Sequence, residues 1–380
     1  MFEDLVASLR SVWETEKDVG LHEPIFIGNE EKYVGEAIRS TYVSSVGPFV
    51  DRFEEDIASY TGAKKAVAVV NGTAALHISL LLAGVRENDE VLLPSLTFAA
   101  TANAVMYCGA IPHFVDSEYE TLGIDPINLR QYLDEISDQE GGVTINKKTK
   151  RRISVILPVH VFGNPCKIDQ ILEIAKDFKL EVVEDAAESL GSTYRGQHTG
   201  TFGLLGAISF NGNKIVTTGG GGAILTNEEE LGQMAKHLTT TAKVPHRWEY
   251  VHDQLGYNYR MPNINAALGC AQLEQLESYL VFKRELFGKY KNALNGQKGV
   301  RLMQEGNSAK SNYWLQALVF DQKINKDDLL NLFHESGLGC RPAWKPLHKL
   351  PYLADSPKSS MLNTELLVDR VINLPSMQIN

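Results

Sequence analysis

The chain has 380 residues, of which 43% are hydrophobic and 22% are charged, and it carries 37 basic against 47 acidic residues, a net charge of −10. This composition supports sizeable cores, and at about 150 residues per domain the length predicts two domains. The negative charge and the lack of a Lys/Arg-rich block exclude a nucleic-acid partner, and no apolar run approaches the roughly 18 residues of a membrane span.

The first thirteen residues predict a surface helix and not a signal peptide, because apolar side chains recur there at helical spacing among acidic ones. The cysteines, Cys108, Cys166, Cys270 and Cys340, lie far apart without a CxxC pair. This spacing favours neither a disulfide framework nor a metal site. Together these features predict a cytoplasmic protein that binds no metal.

From about residue 65 to 225, short β-branched runs alternate with helical patterns, which predicts βαβ units around a largely parallel sheet. The predicted strands are 66–70, 90–93, 111–115, 153–158, 180–184, 207–210 and 223–226, the predicted helices are 73–83, 97–107 and 168–178, and 139–152 is predicted as a surface loop. Farther along, a long helical stretch over 263–292, strands near 300 and over 314–320, and a helix over 326–335 predict a smaller α+β lobe. We expect a large α/β domain over residues 1–250 and a small domain over 251–380.

Residues that follow the predicted strands carry the functional prediction, since ligands of open α/β sheets bind beyond the carboxyl ends of the strands. Gly72, Thr73 and Ala74 lead from the first strand into a helix, whose free N–H groups and dipole suit a phosphate. An ordinary helix cap at Thr73 is the alternative.

Other strand ends carry the aromatic Phe98, the acid Asp185, the hydroxyl of Ser209 and the amine of Lys214. Singly, such an acid is often a helix cap and a lysine is usually just exposed. Together with the phosphate turn, they supply what pyridoxal 5′-phosphate needs: a Schiff-base lysine, an acid for the pyridinium nitrogen, a phosphate anchor and a stacking ring. The glycine run 219–222 precedes a strand, so it predicts close backbone approach or a sharp bend and not a dinucleotide loop.

Segments along most of the chain, from about residue 21 to 375, resemble the DegT/StrS-type sugar-nucleotide aminotransferases, which are fold type I pyridoxal phosphate enzymes. They are SSVGPFV (44–50), NGTAAL (71–76), PVH (158–160), EDAA (184–187), SF (209–210) with Lys214, GYNYRM (256–261), and Arg341 with PLH (346–348). The resemblance implies an aspartate aminotransferase-like α/β fold with a large, mixed, mostly parallel sheet domain and a smaller α+β C-terminal domain.

The resemblance also implies roles for single residues. Lys214 would form the Schiff base and shuttle protons, Asp185 would partner the pyridine nitrogen, and Phe98 would stack on the ring. The phosphate would be held by Gly72, Thr73, Ala74 and Ser209.

Asn258 matches a residue that reaches across a homodimer interface to the neighbouring subunit's phosphate, which implies a homodimer with shared active sites. Weaker candidates for substrate contacts are His160, Arg260 and Arg341. Glu188 would also contact the cofactor, but it stands where many members have Gln or His. A carboxylate beside the cofactor's phenolic oxygen must share a proton with it or turn away. Many members also have Gly-Glu-Gly-Gly at 219–222, so the roles of Glu188 and of the glycine run stay open.

The segments GLHEP (20–24), GNE (28–30) and SSVG (44–47) look like those of the legionaminic acid pathway aminotransferases. This implies transfer of an amino group from L-glutamate to C4 of a nucleotide-linked 4-keto-6-deoxy sugar. The favoured substrate is a UDP-2-acetamido-4-keto-2,4,6-trideoxy hexose, and the product would serve the synthesis of lipopolysaccharide or another surface polysaccharide.

Several alternatives to this function stay open. They are a GDP-linked 4-keto sugar, amination at C3, and a pyridoxal-dependent sugar dehydratase, in which a His would replace Lys214. A nicotinamide oxidoreductase is favoured only by the βαβ pattern and the glycine run. A non-enzymatic scaffold is disfavoured by the presence of both Lys214 and Asp185.

Overall fold

A computed structural model describes residues 2–378 of the chain. Its α-helices are α1 (Phe2–Arg10), α2 (Glu30–Arg39), α3 (Pro48–Thr61), α4 (Gly72–Leu82), α5 (Ala99–Tyr107), α6 (Pro126–Ile136), α7 (Ile168–Asp177), α8 (Glu229–Thr239), α9 (Asn263–Leu273), α10 (Leu276–Ala293), α11 (Lys326–Glu335) and α12 (Leu362–Val368). Short 3-10 turns span Val161–Gly163, Leu347–Lys349 and Pro351–Leu353. None of these helices is long and apolar enough to cross a membrane.

The strands form one large sheet and two small ones. They are β1 (Lys65–Val69), β2 (Glu90–Pro94), β3 (Ile111–Val115), β4 (Ser137–Glu140), β5 (Val143–Asn146), β6 (Arg152–Ile156), β7 (Glu181–Asp185), β8 (Thr193–Tyr194), β9 (Gln197–His198), β10 (Leu205–Ser209), β11 (Gly222–Thr226), β12 (Val300–Leu302), β13 (Ala309–Lys310), β14 (Gln316–Phe320), β15 (Arg341–Pro342) and β16 (Val371–Leu374). The strands and helices predicted between residues 65 and 226 are confirmed to within two residues at each end.

The large sheet follows the spatial order β1-β11-β10-β7-β6-β2-β3. Neighbouring strands from β10 to β3 run parallel, and β11 is antiparallel to both β10 and β1. Every residue of β2 and β11 is buried, as expected when helices cover both faces of a sheet. The predicted large, mixed, mostly parallel sheet is confirmed.

The segment 139–152 is not the surface loop that its polar composition predicts, because it holds most of the antiparallel hairpin β4–β5. Gly141 and Gly142 have φ angles of 56° and 87°, the left-handed conformation that tight hairpin turns require. Asn146 is buried, and its Nδ2 donates to Oε2 of Glu90 at 2.8 Å. Because an inward-facing side chain of β5 is polar, the sequence shows no clear apolar alternation there.

The helical stretch predicted over 263–292 is present, but the chain breaks at Glu274 and Gln275 and forms two helices, α9 and α10. The two helices have different neighbours. Helix α9 packs on α2 and α3 of the large lobe, whereas α10 places Leu286 and Tyr290 in the core of the C-terminal lobe. The break turns the chain from one core to the other.

The C-terminal lobe is built on the antiparallel sheet β12-β14-β16-β15. Its core combines Phe320 and Phe333 of this lobe with Leu5 and Leu9 of α1. The predicted N-terminal helix is therefore present, ends at Arg10, and packs on the far end of the chain. The domain boundary near residue 250 stays a prediction.

Candidate active site

A cavity of about 390 Å³ opens where the carboxyl ends of β1, β2, β7 and β10 meet. This volume falls within the roughly 300–1,000 Å³ typical of small-molecule sites. Predicted residues from four separate segments line it: Gly72, Thr73, Phe98, Asp185, Glu188, Ser209 and Lys214. A larger cavity of about 460 Å³, whose lining includes Lys167 and Arg301, contains none of them, so size alone would misplace the site.

The phosphate end of the cavity is the first turn of α4. The side chain of Asn71 caps this helix by accepting the Ala74 N–H at 2.7 Å, so Ala74 has no free donor to offer a ligand. The N–H groups of Gly72 and Thr73 bond to no acceptor among residues 2–378. A Cβ on Gly72 would lie 2.9 Å from Cβ of Ser209. This turn is therefore a cradle with two aligned donors and an adjacent hydroxyl, which suits an anion.

The glycine run 219–222 lets β11 pass directly behind this turn. A Cβ on Gly222 would lie 2.6 Å from the carbonyl carbon of Asn71 and 2.8 Å from the nitrogen of Gly72. Gly219 adopts a φ of 77°, which few other residues tolerate. Both features that the sequence predicts for the run, a close backbone approach and a sharp bend, are confirmed.

Asp185 ends β7 and is 6% exposed. Its Oδ2 accepts from Oγ1 of Thr101 at 2.7 Å, and its Oδ1 accepts from the Ala187 N–H at 3.2 Å. Burial raises the pKa of Asp185, and these two hydrogen bonds together with the charge of Lys214 offset the rise only in part. A cationic N–H donor in the cavity would stabilise this carboxylate.

Lys214 and Glu188 form an ion pair inside the cavity. Nζ of Lys214 lies 3.3 Å from Oε1 of Glu188, and Oε2 of Glu188 accepts from the Phe162 N–H at 2.8 Å. Burial raises the pKa of Glu188, although the neighbouring Lys214 charge partly opposes that rise. The sequence left the role of Glu188 open, and the structure places it against the lysine amine.

Two aromatic walls of the cavity come from the C-terminal lobe and were missed by the sequence analysis. The centroid of the Trp314 ring lies 4.0 Å from Nζ of Lys214. The Trp344 ring packs on Phe162 with centroids 4.7 Å apart. No sequence pattern connects these tryptophans with the turn that carries Lys214, which lies at least a hundred residues earlier in the chain. Thr101 was also missed, although its position three residues after Phe98 on a helix was an available signal.

His160, a predicted substrate contact, does not line the cavity. Its ring is fully buried, Nε2 lies 3.0 Å from Oε2 of Glu184, and Nδ1 accepts from the Cys166 N–H at 3.2 Å. Its backbone N–H donates to the carbonyl of Asp185 at 3.1 Å. With both ring nitrogens engaged, His160 supports the strand end behind the site.

The other predicted contacts also lie outside the cavity lining. Arg260 is buried, and its Nη1 contacts Oε1 of Glu54 at 2.8 Å. Arg341 is exposed on the short strand β15. Asn258 is exposed and forms an isolated bridge with Thr240.

The residues present fit pyridoxal phosphate. The α4 turn offers an anion cradle, Asp185 offers a buried carboxylate at the end of the central sheet, Lys214 offers the amine, and Phe98 stands 59% exposed beside them. Within residues 2–378 no group of three His, Cys, Asp or Glu side chains is arranged to hold a metal ion.

The chain is similar to proteins that are described as aminotransferases. Residues 25–379 match the DegT/DnrJ/EryC1/StrS aminotransferase family. EpsN of Bacillus subtilis (strain 168), provisionally described as a pyridoxal phosphate-dependent aminotransferase, is 40% identical over 335 residues, which cover 88% of this chain and 84% of EpsN. GDP-perosamine synthase of Escherichia coli O157:H7 is 38% identical over 360 residues, which cover 95% and 93% of the two chains. The crystal structure of a DegT DnrJ EryC1 StrS aminotransferase from Brucella abortus superimposes with a TM-score of 0.83 at 26% identity, over 92% of this chain and 90% of that one.

Proposed function

The chain belongs to the DegT/DnrJ/EryC1/StrS aminotransferase family, and from that premise we propose that it transfers the amino group of L-glutamate to C4 of a nucleotide-linked 4-keto-6-deoxy sugar. It is a pyridoxal phosphate-dependent sugar aminotransferase, as its family and relatives are. The observation that carries the proposal is that one cavity holds the Lys214 amine, the buried Asp185 carboxylate and the N-terminus of α4.

Lys214 supplies the amine that takes up the proton and passes it on. When bound, pyridoxal phosphate supplies an aldehyde carbon that exchanges amino groups and a ring that withdraws electrons from the attached carbon. Nζ of Lys214 is the only lysine amine that lines the cavity. It takes the proton from the α-carbon of glutamate and, in the second half of the reaction, delivers a proton to C4 of the sugar.

Asp185 holds the proton on the ring nitrogen of the cofactor. Its carboxylate is buried and accepts two hydrogen bonds within residues 2–378, so a cationic N–H is its natural third partner. The first turn of α4 and Ser209 hold the phosphate at the other end. Trp314 and Trp344 also line this cavity.

The nucleotide must bind near the mouth of the cavity and not inside it. The only charged side chains of the lining are Asp185, Glu188 and Lys214, so the interior has no surplus positive charge for a pyrophosphate. Phe98 is 59% exposed at this site. Arg341 is exposed and carries no assigned ion pair among residues 2–378, and we keep it as a candidate for the pyrophosphate.

A homodimer with shared active sites belongs to the same proposal. Large apolar side chains are strongly exposed on one protomer, which is typical of a surface that a partner covers. Among them are Val46 (68%), Trp248 (68%), Tyr250 (80%) and Leu255 (77%). Three of these four belong to the segment that leads to Asn258. We expect a dimer in light scattering and weaker cofactor binding after Asn258→Ala.

The legionaminic-type sugar, a UDP-linked 2-acetamido-4-keto hexose, is the first candidate substrate because of the segments 20–24, 28–30 and 44–47. A GDP-linked 4-keto sugar is the second candidate, since three relatives at 34–38% identity are named GDP-perosamine synthase. Products of either kind would serve surface polysaccharide synthesis. We place the enzyme in the cytoplasm as part of this proposal, because nucleotide sugars are its substrates.

The experiment incubates the enzyme and glutamate with matched UDP- and GDP-linked 4-keto sugars and identifies the product by mass spectrometry and NMR. We expect one of them to gain an amine at C4 while 2-oxoglutarate accumulates in equal amount. An amine at C3, or a loss of water without gain of nitrogen, would contradict the proposal.

A further inference from the structure

Trp314 lies against the lysine of the active site although it comes from the other lobe. Nζ of Lys214 is 4.0 Å from the centroid of the Trp314 ring and 3.3 Å from Oε1 of Glu188. A protonated amine over an indole face is attracted by the ring, most strongly where water is excluded. The Lys214 side chain is only 13% exposed. We propose that Trp314 is a positioning residue whose ring holds the Lys214 amine and stabilises its protonated form.

The ring is held in place because each polar group of Trp314 has a protein partner. Its backbone N–H donates to Oδ1 of Asn312 at 2.8 Å, and its indole Nε1 donates to the carbonyl of Asn213 at 2.8 Å. Its carbonyl accepts from Nζ of the buried Lys283 at 3.0 Å. The bond to Asn213 ties the indole to the residue that directly precedes Lys214.

Asn312 also fixes the second neighbour of the amine. Its Nδ2 donates to the carbonyls of Glu188 at 2.8 Å and Leu190 at 2.9 Å. Gly163, at a φ of 89°, makes room for this side chain, because a Cβ there would collide with Oδ1 of Asn312. One asparagine therefore holds the backbones of both residues that flank the Lys214 amine, Glu188 and Trp314.

This inference rests on the proposed role of Lys214 in proton transfer. In that step the Cα–H bond of glutamate would break and an N–H bond would form on Nζ of Lys214, while the electron pair would stay with the carbon, stabilised by the electron-withdrawing ring that the bound cofactor would supply. Lys214 is then an ammonium ion until it gives the proton up. A ring that stabilises the ammonium and fixes its position favours this step without contacting the substrate.

The test measures the reactivity of the Lys214 amine itself. The enzyme is loaded with pyridoxamine 5′-phosphate, a form of the cofactor that makes no covalent bond to Lys214. It is then treated at pH 8 with limiting acetic anhydride. Acetylation of Lys214 is counted by mass spectrometry against that of Lys65, whose side chain is 43% exposed. Trp314→Leu should raise the acetylation rate of Lys214 about fivefold to tenfold, because the amine loses the ring that holds it.

Two further variants separate the ring contact from a change in access or folding. Trp314→Phe keeps an aromatic face and should lie between wild type and Trp314→Leu. Trp344→Leu opens the same cavity but leaves the contact between the Trp314 ring and the Lys214 amine in place. The acetylation rate of Lys214 in this variant should therefore stay within about twofold of wild type. Equal acetylation in Trp314→Leu and Trp344→Leu, or no difference between the two Trp314 variants, would overturn the inference.

Kinetics with glutamate provide a second measurement. We expect Trp314→Leu to lower kcat of the glutamate half-reaction about tenfold and to leave KM within about twofold, because the ring acts on the proton transfer and not on glutamate binding. A change confined to KM would also overturn the inference. A wild-type enzyme that does not react with glutamate would instead contradict the proposed donor, while the acetylation result would still decide the role of Trp314.

Discussion

The two ends of the central sheet both bury carboxylates, but they surround them differently. At the amino end of β2, Glu90 is fully buried and lies 2.9 Å from Nδ1 of His113. It also accepts from Nδ2 of Asn146 at 2.8 Å and from Oγ1 of Thr149 at 2.6 Å. Burial alone would raise the pKa of Glu90, but these partners lower it below its ordinary value.

At the carboxyl ends of the strands the outcome is the opposite. Asp185 and Glu188 are almost as buried, yet burial raises the pKa of both because their partners do not compensate for it. A folded protein gains nothing in stability from such groups. The comparison indicates that Glu90 serves stability, whereas Asp185 and Glu188 are kept for a ligand and a reaction.

The largest effect should follow Lys214→Ala. This change removes the amine on which the reaction depends at the carboxyl ends of the strands, the reactive end of the sheet. We expect turnover to fall at least about 1,000-fold, and the absorbance of the bound cofactor at about 400 nm should disappear. Lys65→Ala is the matched control, since Lys65 forms only an exposed ion pair with Glu229 and should keep full activity. Near wild-type turnover in Lys214→Ala would end the assignment of this cavity as the active site.

Asp185→Asn should separate activity from stability. The amide cannot hold the ring proton as a carboxylate does, so kcat should fall about 100-fold. The cofactor-free protein should become more stable by about 1 kcal/mol, because a strained buried acid is removed. Because the pKa of Asp185 is raised on folding, this carboxyl destabilises the folded protein. The destabilisation is absent below the unfolded-state pKa of about 3.9 and grows as pH rises from there through the folded-state pKa.

Thermal unfolding of the cofactor-free protein measures this gain, which should be larger at pH 8 than at pH 5. A variant that loses stability at pH 8 would show that Asp185 is a structural residue like Glu90.

Glu90→Gln should have the reverse signature at the other end of the sheet. It should reduce the free energy of unfolding by about 2 kcal/mol, because His113, Asn146 and Thr149 lose a charged acceptor. Since the pKa of Glu90 is lowered on folding, its contribution is present above the unfolded value of about 4.3 and is lost as pH falls through the folded value. The deficit should therefore shrink on acidification, while kcat at 25 °C stays unchanged. The exposed Glu87→Gln is the control for both measurements.

Gly72→Ala should produce the smallest effect, about a tenfold loss of affinity for pyridoxal phosphate in a fluorescence titration. The new Cβ would lie 2.9 Å from Cβ of Ser209 and push the hydroxyl out of the phosphate cradle. Gly288→Ala, in the middle of α10 with no atom within 4 Å of its Cβ, is the control and should only stabilise the helix. Unchanged affinity in Gly72→Ala would separate the α4 turn from phosphate binding.

Most of the reactive end could be predicted from sequence because its residues follow strands that have clear apolar patterns. The limits show in Glu184 and Asp185, two adjacent acids with opposite surroundings. Neighbouring residues of a strand point to opposite faces, but nothing in the letters says which face the cavity occupies. Glu184 accepts from His160 and from three backbone N–H groups, so the pKa of this carboxyl is lowered despite burial.

What sequence could not supply are contacts between distant segments. Trp314 reaches Lys214 from another lobe, and Arg260 turns toward Glu54 and not toward the cavity. The hairpin at the amino end was missed because its buried Asn146 serves Glu90 and not an apolar core. In each case a side chain's partner lies too far along the chain for any local pattern to reveal it.

The most direct test of the account is to find where the cofactor attaches. The enzyme is incubated with pyridoxal phosphate, reduced with borohydride, digested and mapped by mass spectrometry. We predict a single covalent adduct on Lys214 of the wild type and none in Lys214→Ala. An adduct on another lysine in the wild type, or no adduct at all, would contradict the central claim that this end of the sheet is the reactive one.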